Sequence, residues 1–182
     1  MKKISTGFEG LFIIEPDVFK DERGYFFESF NKEKFAAAGI QFNPMQDNES
    51  KSSEGVIRGL HYQLNPAAQA KLIRVVSGVI YDVVVDLRKE SLTYGKWFGV
   101  ELNDEGKKQL FIPRGFAHGF SVMSEYAVIQ YKCDNLYNSQ LERGISPFDP
   151  SLAIDWKMDL HKKIVSSKDD AAPPFADAEM NF

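Results

Sequence analysis

The feature that most constrains the fold is the grain of the hydrophobic pattern. Most apolar runs are short, rich in Val, Ile, Phe and Tyr, and separated by Gly, Pro, Asn or Asp. β-branched and aromatic side chains fit a pleated, half-buried surface, and the interrupting residues supply turns, so the chain is expected to be an all-β sandwich or barrel of many short strands. Strands are expected at Val56 to Gln63, Lys71 to Ser77, Val79 to Leu87, Trp97 to Leu102, Gln109 to Ile112, Ala117 to Met123 and Ala127 to Cys133. Ser77-Gly78 and Asn103-Asp104-Glu105-Gly106 are turn sequences. Alternation within Val79 to Asp86 puts Val79, Tyr81, Val83 and Val85 on one face and Ile80, Asp82, Val84 and Asp86 on the other, which predicts cover on both sides.

The flanks read differently. An N-terminal arm is expected to hold a strand from Leu11 to Glu15, a turn over Lys20 to Gly24, a strand from Tyr25 to Phe30, and a short helix from Lys32 to Ala38 capped by Asn31 and ended by Gly39. From Ser146 onward, Pro147, Pro150, Pro173 and Pro174 predict loops and short helices that cover the barrel and end in a loose tail. With 182 residues, one domain is expected, with an arm over about 1–45, a barrel over about 46–135 and a cover over about 136–182.

Charge and cysteine content narrow the partners. A net charge of −4 argues against a nucleic-acid polymer, although a few placed cations still suffice to hold one diphosphate. The lone Cys133 can form neither an intrachain disulfide nor a cysteine zinc site, which fits a reducing, cytoplasmic setting. Neither a secretory leader nor an apolar run of membrane-spanning length is visible, so no membrane partner is expected.

Two of the three histidines stand in aromatic, Gly-flanked runs, Arg58-Gly59-Leu60-His61-Tyr62-Gln63 and Pro113-Arg114-Gly115-Phe116-Ala117-His118-Gly119-Phe120, whereas His161 lies in a charged surface-like stretch. The Pro113-x-Gly115-x-x-His118 pattern resembles the second motif of the cupin superfamily, which implies a double-stranded β-helix, or jelly-roll, barrel. Metal-binding cupins pair two histidines with a carboxylate in their first motif. Here that segment offers only His61 and Lys71, and an ammonium is not a metal ligand, so the expectation is chemistry without metal or other cofactor.

Gln46-Asp47-Asn48, the Arg58 to Gln63 and Pro113 to Phe120 runs, Lys71-Leu72-Ile73-Arg74-Val75, Tyr131-Lys132-Cys133 and Ser167-Lys168-Asp169 resemble, in order, the motifs of the dTDP-4-dehydrorhamnose 3,5-epimerase family. The resemblance implies conversion of dTDP-4-dehydro-6-deoxy-D-glucose to dTDP-4-dehydro-L-rhamnose. Relatives that epimerise only C3 or only C5, or that move the keto group, share these motifs. A sugar-nucleotide-binding cupin without catalysis is the alternative of another class.

The residue types suit the chemistry. Epimerising a carbon beside a ketone needs a base on one face, an acid on the other and a stabiliser for the enolate. His61 is suited to be the base, since its ordinary pKa near 6.5 leaves it mostly neutral at pH 7. Tyr131 is the expected acid, and Lys71 the support for charge developing on the C4 oxygen. By resemblance Asp169 orients His61, although Asp170 follows directly and leaves the choice between them open. Also by resemblance, His118 assists at the carbonyl or hydroxyls. Arg23, Glu28, Gln46, Asp47, Asn48, Arg58, Glu142 and Lys168 bind the substrate in the family pattern, and Tyr137 stacks on the base. Strict alternation would put Arg58 and His61 on opposite faces, so the strand is expected to be irregular near Gly59. The family is typically a homodimer, and the strand-like arm from Leu11 to Phe30 suits sheet addition to a partner, whose site Arg23 and Glu28 would complete.

Overall fold

The computed structural model describes residues 1–182. Its strands are β1 (Lys2–Ser5), β2 (Phe12–Glu15), β3 (Phe19–Asp21), β4 (Gly24–Phe26), β5 (Gln46–Ser53), β6 (Ile57–Gln63), β7 (Lys71–Ser77), β8 (Val79–Asp86), β9 (Trp97–Asn103), β10 (Gln109–Ile112), β11 (Phe116–Val122), β12 (Tyr126–Cys133) and β13 (Glu142–Gly144). The α-helices are short: α1 (Lys32–Ala37) and the single turn α2 (Ser167–Asp170). No helix is long and apolar enough to cross a membrane.

Two antiparallel sheets face each other, in the orders β1-β2-β10-β7-β12-β5 and β13-β6-β11-β8-β9, with β3 and β4 as a separate hairpin. This is an all-β, cupin-type jelly roll, as the hydrophobic grain and the Pro113 to His118 motif imply. Period-two alternation decides what each strand gives to the interior. Ile73 and Val75 of β7, Ile80 and Val84 of β8, Phe116, Phe120 and Val122 of β11, and Ala127 and Ile129 of β12 join one buried cluster between the sheets. Each large apolar side chain buried there stabilises the fold by roughly 1.5–3 kcal/mol.

The outer faces are covered as well. Val83 and Val85 pack beneath Leu152 and Trp156 of the C-terminal segment, so both faces of β8 are buried, as its alternation predicts. Trp156 Nε1 donates to the Pro147 carbonyl at 2.7 Å, which satisfies its one polar atom inside that apolar layer. On the other sheet, α1 lays Phe35 against Ile14, Leu72 and Phe111. Asn31 caps α1 by accepting from the Lys34 N–H, and Gly39 takes φ +77° just beyond the helix end.

Several expectations need correction. The strand expected over Tyr25 to Phe30 stops at Phe26, because the hairpin has only three residue pairs and no neighbouring strand in this chain. β1, β5 and β13 lack an apolar signal: β5 is the polar run Gln46–Ser53, an edge strand that pairs with β12 along its whole length. The tail is tied down rather than loose. Tyr62 Oη donates to the Glu179 carbonyl at 2.6 Å, Asn181 exchanges hydrogen bonds with Asn65, and the Phe182 ring packs on Tyr62.

Candidate active site

One end of the space between the sheets is polar. There β6 and β13 on one side and β5, β7 and β12 on the other line a cavity of about 280 Å³ with His61, Gln63, Lys71, Tyr131, Gln46, Asn48, Tyr137 and Glu142 among its walls. His61 therefore comes from one sheet and Tyr131 from the other, across the same cavity.

A bulge makes the His61 wall possible. His118 pairs with His61 but Phe120 pairs with Arg58, so three residue steps on β6 oppose two on β11. Ile57, Leu60 and Tyr62 then share the outer apolar layer, which leaves Arg58 and His61 on the inner side of the strand. Gly59 sits at the irregularity with φ +116°, a conformation that glycine adopts readily. The break expected near Gly59 is present.

His61 Nε2 lies 2.7 Å from Asp169 Oδ1, and the other oxygen of Asp169 accepts the Gly59 N–H at 3.1 Å. Ser166 caps α2 by accepting the Asp169 N–H, which fixes the carboxylate at the helix start. Burial by itself would raise the Asp169 carboxyl, but the hydrogen bonds from His61, Gly59 and Ser166 hold it below its ordinary value. Asp170 is exposed and makes no such bond, so the choice left open by the sequence falls on Asp169. An ionised carboxylate against one ring nitrogen leaves the other nitrogen with a defined role, the arrangement of an oriented base.

Tyr131 stands between Asn48 of β5 and Ile73 of β7 in register. Burial raises its phenol above the ordinary value, with the nearby Arg58 guanidinium opposing the shift, so it is held as a proton donor at neutral pH. Lys71, paired with Cys133, has its pKa lowered by burial, while Cys133, Asp82 and Glu142 resist that shift. His118 Nε2 meets Asp82 Oδ1 at 2.9 Å, and His118 is buried and not among the residues that line the cavity.

The remaining candidates divide into two groups. Glu142 gathers the rim, accepting from Tyr137 Oη at 2.8 Å and pairing with Lys168 at 2.6 Å, while Gln46 accepts the Tyr137 N–H and donates to Asn48. Arg58 Nε donates to Ser52 Oγ at 2.9 Å. Three others lie elsewhere. Asp47 points to the opposite face of β5, where it pairs with Lys132, because alternation along an edge strand cannot turn Gln46, Asp47 and Asn48 to one side. Arg23 pairs with Asp21 at the hairpin tip, and Glu28 holds Lys34 and Asn31 near α1, both outside this chain's cavity. Gln63 and Gln69 also line the cavity and were not anticipated; for Gln63, the period-two step from His61 was the available signal.

No cluster of three or more His, Cys, Asp or Glu side chains is arranged to hold a metal ion. An imidazole oriented by a carboxylate, a phenol facing it and a half-buried ammonium, set inside a jelly roll, define an epimerase-type isomerase.

Comparison with known proteins gives the family. The family model for dTDP-4-dehydrorhamnose 3,5-epimerase matches residues 5–177. The enzyme of that name from Shigella flexneri is 50% identical over 180 residues, 98% of either chain. The crystal structure of its Elizabethkingia anophelis counterpart superposes with a TM-score of 0.94 at 50% identity, covering 97% of each chain. The Legionella pneumophila dTDP-6-deoxy-D-glucose-3,5-epimerase, solved with dTDP-4-keto-L-rhamnose, gives 0.91 at 45% identity over 95% of this chain and 92% of that one. The chain belongs to the dTDP-4-dehydrorhamnose 3,5-epimerase family.

Proposed function

We propose that this chain converts dTDP-4-dehydro-6-deoxy-D-glucose to dTDP-4-dehydro-L-rhamnose by successive proton exchange at C3 and C5. The observation that carries this reading is the placement of His61, held by Asp169, and Tyr131 on opposite walls of one cavity. His61 takes the proton from the carbon beside the ketone, Lys71 supports the enolate oxygen, and Tyr131 returns a proton to the other face. Arg58 and Lys168 supply cations for the diphosphate, Tyr137 offers an exposed ring to the base, and Gln46, Asn48, His118 and Glu142 orient the sugar and nucleotide. The bound ligand of the Legionella relative supports the substrate class.

The functional unit is a cytoplasmic homodimer. Support comes from the β3–β4 hairpin, where Phe19 and Phe26 are 66% and 67% exposed and the Arg23 side chain 86%. A second copy would bury these rings and receive Arg23 and Glu28 into its own cavity.

Turnover in deuterated water tests the reaction. Label at both C3 and C5 is the expected result. Label at one carbon would make the enzyme a mono-epimerase, and label at neither would remove the proposal.

A further inference from the structure

We propose that Asp82 is a positioning residue of the reaction, a buried carboxylate that holds the His118 imidazole through one oxygen and leaves the other free as the counter-charge for Lys71 of the facing sheet. The inference rests on the epimerase reading above and extends it to a residue outside the cavity wall.

Asp82 projects into the barrel between Ile80 and Val84, both members of the apolar core, and is 0% exposed. Its Oδ1 meets His118 Nε2 at 2.9 Å, but its Oδ2 is buried without any hydrogen-bond partner. An unsatisfied buried polar atom is unfavourable, and an anionic one more so. Asparagine would accept the same bond from His118 without burying a charge, so the hydrogen bond alone does not account for an acid here. A nearby cation does.

Lys71 enters the barrel from the facing sheet, and its ammonium has neither a salt bridge nor a hydrogen bond to the protein. Burial favours its neutral form, and only an anion nearby can resist that loss. Three acids bear on it, each with a different capacity. Glu142 is already engaged by Lys168 and Tyr137. The Cys133 thiol, opposite Lys71 in register, is pushed up by burial and stays protonated at neutral pH. Asp82, with its free oxygen, is the remaining counter-charge. The other register neighbour of Lys71, Ile112, is neutral, and His61 lies opposite His118 on the next strand. A charged Lys71 is what a developing enolate oxygen requires, so Asp82 acts on the reaction through Lys71 and His118 without touching substrate.

Asp82→Asn separates charge from hydrogen bonding. Its amide oxygen still accepts from His118 and only the charge is lost. The expected result is a folded protein with a Tm equal to or above that of the wild type, kcat lowered about 10- to 100-fold, and KM changed far less. The alkaline limb of the kcat profile should move to lower pH, because Lys71 loses the anion that opposes its deprotonation. Wild-type kcat and an unmoved pH profile in the variant would overturn the proposal. So would failure of the variant to fold, since the carboxylate would then serve the barrel and not the reaction. If the wild type itself exchanges no deuterium into substrate, the epimerase reading has failed instead.

Discussion

The backbones of Gly59 and Gly119 approach so closely across β6 and β11 that a Cβ on Gly59 would lie 2.6 Å from the Gly119 Cα, and a Cβ on Gly119 would lie 2.6 Å from the Arg58 carbonyl oxygen. Backbone atoms cannot yield as a flexible side chain does. The contact locks the bulge that turns both Arg58 and His61 inward, so Gly59 links the barrel's register to its chemistry. Gly59→Ala adds the clash to an unfavourable φ of +116° and is expected to cost about 3 kcal/mol or more. Chemical denaturation measures the loss. Because the bulge also carries the N–H that Asp169 accepts, any folded fraction should turn over more slowly per molecule.

Adjacent carboxylates should differ sharply in effect. Asp169 touches the His61 ring and the Gly59 N–H, while Asp170 is exposed one residue later on α2. Asp169→Asn is expected to lower kcat by about 10²- to 10⁴-fold, through loss of the ring's orientation and of the stabilised imidazolium. Asp170→Asn should leave kcat within about 2-fold, as exposed substitutions usually do. Steady-state kinetics on the two variants, each checked for fold by circular dichroism, decides the assignment. Equal losses would show that α2 as a whole matters and the dyad does not.

How much was legible follows from the range of each interaction. β7 and β10 run over the residues that their short apolar runs predict, because that signal is local to the strand. β5 carries none, since one face lines a polar cavity and the other meets solvent, so neither face demands hydrophobic residues. Motif order singles out His61, Lys71 and Tyr131. Pairing of His61 with Asp169 spans 108 positions, and no local pattern encodes such a contact. The face of Asp82 was readable from alternation, but the partner on a different strand that gives the residue its meaning was not. Asp47 shows the opposite failure, in which a motif grouped three neighbours that the pleat sends to two faces.

A stability test bears on the loop after β8. Asp86 is buried and accepts hydrogen bonds from Ser91 Oγ and Thr93 Oγ1, each at 2.6 Å, and from Arg88 Nε at 2.8 Å. Burial would raise its carboxyl, but the bonds from Arg88, Ser91 and Thr93 outweigh this and hold it below the ordinary value. A carboxyl depressed in the folded state adds stability above its unfolded pKa of about 3.9, and that stability is lost as pH falls through the folded value. Asp86→Asn is expected to cost about 3 kcal/mol at neutral pH. The gap between variant and wild type should narrow below about pH 4, as urea midpoints across an acid pH series would show.

The proposed sharing of the site between subunits makes the most discriminating prediction, because it concerns two residues that never meet within one chain. Arg23 lies at the tip of the exposed hairpin and His61 lines the cavity, so in the proposed dimer each site takes His61 from one subunit and Arg23 from the other. Arg23→Ala alone should mainly raise KM, through loss of a cation for the nucleotide diphosphate, and His61→Asn alone should abolish proton exchange. When the two variants are mixed, unfolded together and refolded, half of the dimers pair one of each. In such a dimer both defects fall in one site and the other site is intact. At substrate levels too low for the Arg23→Ala sites to fill, the mixture should recover about a quarter of wild-type activity. If each site drew Arg23 and His61 from the same subunit, mixing would restore nothing above the sum of the separate variants.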